Sequence, residues 1–438
     1  MDIYNFISFT GIAVIIFIAW LCSENKKVLN RKVVVWGVLL QLLLAVFIFQ
    51  VPVGAKIFLV LNNIVIKILN SASAGSKFLF GRLALAPGEV GENGETSLGF
   101  ILAFQVFPAI IFFSAFVSAL YYLRIMPFII RCFSKIFTKL MRISGAESLV
   151  AASNIFVGIE SILCVKPYLE KMTRSEMCTI LTAGMATVAS NVLVLYVFCL
   201  KNQFPAIAGH LISASLLSAP AAIVISKIIL PEQERPLTLG TDIVPHYERE
   251  DNVFVAIING ANAGVRMIVG IAALLIAVLG IVALIDLFLT GTSGWLNCSF
   301  GLNMHWSLKG IMGLIFYPLT LIIGVAPVDA GIIASIIGER IVLTEVVAYQ
   351  NLAQALSRQL ILQPRSAVVA TYALCGFAHL ASMAIFVGGI SALAPSKIRV
   401  IAEVAPRALL AANLACLLTA CIAGTFFTNS SVLLGIGF

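Results

Sequence analysis

The sequence predicts an all-α polytopic membrane protein, and three observations carry that prediction. Hydrophobic residues make up 61% of the 438 and charged residues only 11%, against about 25% charged in an ordinary soluble domain. Mean hydropathy is +1.06, too high for a surface that faces water. Apolar runs of the roughly 20 residues that cross a bilayer as a helix recur along the whole chain.

Taken in order, eight spans are read near 4–22, 33–50, 100–122, 177–200, 205–228, 264–289, 366–392 and 406–427. The first, opening MDIYNFISFTGIAVIIF, has no basic leader and no small-residue cleavage site, so it is read as a retained span and not as a signal peptide. Residues 124–143 (RIMPFIIRCFSKIFTKLMRI) set basic and apolar positions at helical spacing, the pattern of a helix lying along a membrane surface. Two further segments, about 144–173 and 307–350, do not read as simple crossings. The first is about 30 residues with Gly158 near its middle, right for a re-entrant hairpin. The second is punctuated at Gly324, Pro327, Gly331 and Gly338.

The longest polar stretch, PEQERPLTLGTDIVPHYEREDN (231–252), is too short for a core and reads as a cytoplasmic linker between two halves. The halves share a motif. GMATVAS (184–190) and GFAHLAS (376–382) both fit G-x-A-x-x-A-S, and each follows a Gly-punctuated apolar segment that carries an acid, Glu160 or Glu345. Transporters built from repeats place interrupted helices at corresponding positions of the two halves, around a midplane site.

Charge fixes the expected orientation. With the N- and C-termini outside, 19 of the 28 Lys and Arg fall on the cytoplasmic side, Arg249 among them, as the positive-inside bias requires. The +8 net charge is then topological and calls for no nucleic-acid partner. The nine cysteines show no CxxC or Cys/His ligand spacing and read as packing residues; no cofactor is expected.

Glu160 and Glu345 carry the strongest chemical signal, since a charge at mid-membrane costs at least about 2.5–3.5 kcal/mol and so faces a cavity or a partner. The alternatives are a hairpin tip in cytoplasmic water for Glu160 and a salt bridge to Arg340 for Glu345. Asn154 and Thr187 supply side-chain oxygens beside the carbonyls freed at a hairpin tip and a helix break, a set that suits sodium; the competing reading has Asn154 merely capping a half-helix. His379, at the repeat position of Thr187, offers one donor and one acceptor to a sugar hydroxyl, or a proton carrier. His210, His246, His305 and Asp286 are assigned no role. Ser382 and His379 lie three apart on one helix face, which opens an intramembrane-enzyme reading that no GxSxG or HExxH motif supports; no enzyme is expected.

Beyond these residues, the chain resembles the bacterial concentrative nucleoside transporter family over essentially its full length. The resemblance is carried by GSKFLFG (75–81), FFSAFVSALYYLRIMPFIIR (112–131), NIFVG (154–158), KMTRSE (171–176), APAAIVISKIILPE (219–232), TEVVAY (344–349), ALCGFAHLAS (373–382) and ALAP (392–395). It implies eight transmembrane helices, two opposed re-entrant hairpins and an inner interfacial helix, in a homotrimer whose transport domains move across the membrane. It divides the chain into 1–143 (N-terminal helices, outer segment, interfacial helix), 144–230 (first repeat), the linker 231–252, 253–306 (scaffold helix and outer segment), 307–395 (second repeat) and 396–438 (last helix).

The resemblance also implies roles. Asn154, Val157, Thr187 and Val188 fall on sodium-site positions, Glu345 and Ser382 on ribose-binding positions, Phe377 beside the nucleoside and Val192 near the base. Gly158 and Glu160 belong to the first hairpin tip. The tip departs from the family: Gly158-Ile159-Glu160-Ser161 replaces a common Gly-Gln-Thr-Glu, one residue shorter. Ile159 leaves an apolar wall where a base-reading Gln is usual, and Ser161 supplies a hydroxyl only if the tip shifts. His379 stands where the family has a ribose-binding Asn. The expected activity is elevator-type sodium symport of a nucleoside-like solute into the cell, across a bacterial inner membrane. The alternative is proton-coupled transport of nucleosides or of another sugar-bearing solute.

Overall fold

The computed structural model describes residues 2–91, 94–246, 250–300 and 306–428. Arg249 and His305, named above, lie outside them, as do residues 429–438 of the last segment. The described residues form helices and loops. Three lead the chain: α1 (Ile3–Leu21), α2 (Arg31–Phe49) and α3 (Pro52–Phe80). A single turn α4 (Leu102–Gln105) precedes α5 (Phe107–Tyr122) and α6 (Ile125–Met141). Next come α7 (Gly145–Ser153), a 3-10 segment (Ile159–Lys171), α8 (Arg174–Ala186), α9 (Ser190–Leu200) and α10 (Ile207–Ile229). The second half runs α11 (Val253–Phe300), α12 (Leu308–Ile322), α13 (Pro327–Val342), α14 (Glu345–Ser357), α15 (Pro364–Leu374), α16 (Leu380–Leu393) and α17 (Ile398–Phe426).

The two halves repeat element by element. An apolar helix (α5 or α11) leads to a helix of 17 or 15 residues (α6 or α12). A helical pair folded at a tip follows, then a helix broken in its middle (α8/α9 or α15/α16), then a long buried helix (α10 or α17). The repeats are inverted. Asn5 Nδ2 donates to the carbonyls of Thr425 and Phe427, so α1 begins where α17 ends. The Glu24 amide donates to the Ile229 carbonyl, so the far end of α1 meets the end of α10. The first hairpin is rooted at this second end. Glu147 of α7 and Ser175 of α8 both meet Lys227 of α10, at 2.6 and 2.9 Å. The second is rooted at the N-terminal end, where Asp329 accepts from the Leu362 and Gln363 amides and Arg365 bonds Asn5, Ser8 and the Tyr4, Gly324 and Gly424 carbonyls.

Eight helices among the described residues are long and apolar enough to cross a membrane, but they are not quite the eight expected. The span read at 366–392 is two half-helices, α15 and α16. The additional candidate is α3, which the sequence reading left outside the spans. Its neighbours show why length and apolarity do not make it a crossing. Gln50, just before α3, donates to Phe426 at the end of α17. Midway, Asn62 bonds the Pro205 carbonyl and the Gly209 amide at the start of α10. At its far end the Phe80 ring packs at a tilt against Phe104, ahead of α5, with centroids 5.1 Å apart. All three partners cap the same end of the bundle, so α3 runs along that end.

Local sequence explains the interruptions. Ser144 with Glu147, and Thr173 with Glu176, form capping boxes that start α7 and α8, while Pro327 and Pro364 open α13 and α15. The return arm of the first hairpin stays 3-10 for 13 residues and contains Pro167. At about 2.0 Å rise per residue, against about 1.5 Å in an α-helix, it spans more length per residue than an α-helical arm would.

Residues 231–252 do more than link. The Gly145 amide donates to Thr238, the Gly240 amide to Ile143 and the His246 amide to Cys164, and Asp242 lies 3.5 Å from both Arg131 and Lys135 of α6. The segment is stitched across the root of the first hairpin. Lys227, 5% exposed, is central to that root, also reaching Glu232 at 3.2 Å. Removing one partner of a buried pair leaves the other charge uncompensated, at about 3–5 kcal/mol. Lys227→Met is therefore expected to lower the thermal unfolding midpoint markedly and Lys227→Arg to restore part of it. An unchanged midpoint in Lys227→Met would remove this root from the account.

Candidate functional site

The two broken helices meet at their breaks. A Cβ on Gly376 would lie 2.4 Å from Cys416 Sγ and 3.0 Å from the Ala186 carbonyl, and one on Gly184 would lie 2.2 Å from the Phe386 ring. The glycines of G-x-A-x-x-A-S thus permit contact between α8 and the second half, where a methyl group would collide. Thr187, Val188 and Ala189 leave the helical path between α8 and α9, and Cys375 to His379 do so between α15 and α16. The first hairpin tip packs on the first break: the Ser190 amide donates to the Phe156 carbonyl at 3.0 Å. The second tip packs against α9, where Tyr196 Oη donates to Glu345 Oε1 at 2.8 Å.

Beside this crossing lies a cavity of about 790 Å³, within the range of small-molecule sites. Of the residues expected to face a solute, Gly158, Ile159, Glu160, Val192, Glu345 and Phe377 line it; Ser161, His379 and Ser382 do not. Glu160 is exposed into the cavity. Ile159 lies along α16, where a Cβ on Gly389 would come within 2.3 Å of its Cδ1.

His379 is placed differently from its expected role. It is fully buried and caps α16, its Nδ1 accepting from the Ser382 amide at 3.2 Å. Its Nε2 lies 2.9 Å from Glu345 Oε2. An Nδ1 that accepts puts the ring proton on Nε2, facing the carboxylate, so both nitrogens are engaged within the protein. Ser382 is closed in the same way: its hydroxyl donates to the His379 carbonyl at 2.7 Å and accepts from the His379 amide at 3.1 Å. That hydroxyl meets backbone and not imidazole, so no nucleophile is activated there. Arg340 does not reach Glu345; it turns to the Ala373 carbonyl, 2.7 Å away, and to Asn413.

Asn154 and Thr187 sit at corresponding places, each the C-cap of a helix that stops inside the bundle, α7 and α8. Helix C-termini carry partial negative charge. Asn154 is fully buried; Ser161 donates to its Oδ1 at 3.0 Å and its Nδ2 has no partner among the described residues. Reversing the amide, an assignment that the bonding network must decide, lets Nδ2 donate to Ser161 and frees Oδ1 for a cation. Thr187 Oγ1 donates to the Ala183 carbonyl at 2.8 Å, which leaves its lone pairs available. No amide among the described residues donates to the Val157 or Val188 carbonyl. Neutral hard oxygens at two helix C-termini fit sodium, while no cluster of three or more His, Cys, Asp or Glu suited to a metal ion occurs among the described residues.

The sequence reading missed one wall of the cavity. Asn259, Asn262 and Arg266 of α11 line it, with Met267 and Gly270 beyond. Their spacing of three and four puts these polar residues on one face of an otherwise apolar helix, a signal visible in the sequence.

Comparison with known proteins agrees with this architecture. Family models described as Na+ dependent nucleoside transporter C-terminus and N-terminus match residues 210–424 and 10–83, and one described as nucleoside recognition matches 103–203. The chain is 36% identical over 422 residues to the nucleoside permease NupC of Helicobacter pylori, covering 96% of this chain and 97% of that one. The transporter CNTnw in an inward-facing substrate-bound state superposes with a TM-score of 0.85 at 33% identity, covering 97% of this chain and 98% of that one. A variant of CNTnw in an outward-facing state gives 0.86 at 32% identity over the same shares.

Proposed function

The chain belongs to the Na+ dependent nucleoside transporter family, a family of transporters and not of enzymes, and from that premise we propose that it carries a nucleoside into the cell together with sodium by an elevator-type movement. The observation that carries this reading is the cavity at the crossed breaks, lined by Glu160, Glu345 and Thr187, with the buried Asn154 bonded to Ser161, the residue after Glu160. Asn154 and Thr187 through their side chains, and Val157 and Val188 through their carbonyls, are the residues that would hold sodium. A sodium ion there supplies positive charge at two helix C-termini. Because hairpin tip and break both contribute, these residues link ion binding to the position of the tip that carries Glu160. Two ligands that favour the same arrangement raise each other's affinity reciprocally.

Glu345 accepts hydroxyl hydrogens of the sugar in this reading, and Phe377 and Val192 flank the nucleoside. His379 positions Glu345 and does not contact solute. The elements rooted at the N-terminal end face outward and the basic end of the bundle faces the cytoplasm, as charge placement supports, in a bacterial inner membrane. Three protomers associate as the resemblance implies; α11, with Ile276, Leu284, Leu287 and Phe288 all exposed, offers the apolar surface for partners or lipid.

The test is uptake of labelled nucleoside into proteoliposomes. An inward sodium gradient is expected to drive accumulation above equilibrium, lost when choline replaces sodium. The buried His379–Glu345 contact favours one second reading, proton coupling. Accumulation driven by a pH gradient in choline, with no response to sodium, would select it.

A further inference from the structure

We propose that the base subsite is built for guanine, so that the solute is a guanosine-like purine nucleoside read by Glu160 and Arg266. The inference rests on the nucleoside reading above and narrows it. Glu160 is exposed into the cavity from the hairpin tip, and no Lys, Arg or His among the described residues pairs with it. A carboxylate accepts hydrogen bonds and cannot donate them. Its neighbour at the tip is Ile159, which adds no donor; the rest of the lining mixes apolar side chains (Val188, Ala189, Val192) with the hydroxyls of Thr187 and Tyr196 and the amides of Asn259 and Asn262.

An acceptor-only group of two oxygens matches a base edge with two adjacent N–H groups. Guanine has that edge in N1–H and the N2 amino group. Uracil sets its single N3–H between two carbonyl oxygens. Cytosine and adenine each place an amino group beside an unprotonated ring nitrogen, which would oppose the carboxylate. Hypoxanthine keeps N1–H but lacks the second donor.

The wall contributed by α11 points the same way. Arg266 lines the cavity, no carboxylate among the described residues pairs with it, and a guanidinium only donates. Its planar fork matches two adjacent acceptors, and O6 with N7 of guanine is its commonest base partner. Acid and guanidinium thus complement the two polar edges of guanine in opposite senses, and no other common base answers both. A cavity of about 790 Å³ admits the purine bicycle with its sugar.

Calorimetric titration of the full-length protein in sodium, with guanosine, inosine, adenosine, uridine and cytidine in turn, tests the proposal. Guanosine is expected to bind at least about tenfold more tightly than adenosine, uridine or cytidine, the factor that one charge-assisted hydrogen bond supplies, with inosine between. Glu160→Gln turns one acceptor into a donor and is expected to level guanosine with adenosine. Arg266→Met is expected to weaken guanosine about tenfold. If Glu160→Gln fails to fold, the wild-type ranking decides alone. Adenosine or a pyrimidine nucleoside binding as tightly as guanosine overturns the base assignment and leaves nucleoside transport standing. Failure of every nucleoside to bind overturns both.

Discussion

Glu345→Gln is expected to weaken binding of every ribose-bearing nucleoside by about tenfold to a hundredfold, the loss that follows when hydrogen bonds to a charged group are replaced by neutral ones. The substitution is close to isosteric, which makes the argument sharp. Glu345 is 1% exposed and held between Tyr196 Oη and His379 Nε2, at 2.8 and 2.9 Å. A glutamine can still accept from His379, so the second hairpin tip should keep its place and the apo protein its thermal midpoint. What changes is the face turned to the cavity, which loses its charge and half of its accepting capacity. Retained nucleoside affinity in Glu345→Gln would mean that the sugar is held elsewhere, and Glu345 would become a structural partner of His379.

Asn154→Ala is expected to raise the sodium concentration for half-maximal effect by at least about tenfold, with nucleoside affinity recovering at saturating sodium. The amide is fully buried at the C-cap of α7 and contributes no apolar packing that an alanine would replace. Two consequences separate its roles. If Asn154 only capped a half-helix, its loss would lower stability equally in sodium and in choline. If it is a sodium ligand, the stabilisation that sodium gives would shrink selectively, because ligand stabilisation follows RT ln(1 + [L]/Kd). An unchanged sodium titration would remove Asn154 from the site.

How far the sequence alone reaches is clearest at particular residues. The motif G-x-A-x-x-A-S located both breaks, because the glycines are needed where Gly184 meets Phe386 and Gly376 meets Ala186. Paired acids after Gly-punctuated segments located both hairpin tips, since an acid at that depth has few places to go. Other features were not legible. Helix α3 is apolar enough to span, and only its partners Phe426, Pro205 and Phe104, distant in sequence, place it along one end. His379 and Ser382 are three apart, a spacing that equally describes two ligands or a capping pair. The structure makes them a capping pair, a distinction that depends on where α16 begins. The polar face of α11 was present in NGANAGVR, but its meaning depends on which helix it confronts. Composition makes 231–252 a cytoplasmic linker because it records polarity, while the bonds that stitch the segment to Ile143, Gly145 and Cys164 are tertiary.

The central claim, that one cavity binds nucleoside and that sodium strengthens the binding, is tested most directly by thermal stabilisation of the purified protein. A panel of nucleosides would be measured in sodium and again with choline in its place, for wild type beside Asn154→Ala. The account predicts a nucleoside-dependent rise in midpoint that is larger in sodium for wild type and nearly equal in the two salts for the variant. A rise of the same size in sodium and choline for wild type would contradict the coupling, and no rise with any nucleoside would contradict the assignment of the cavity.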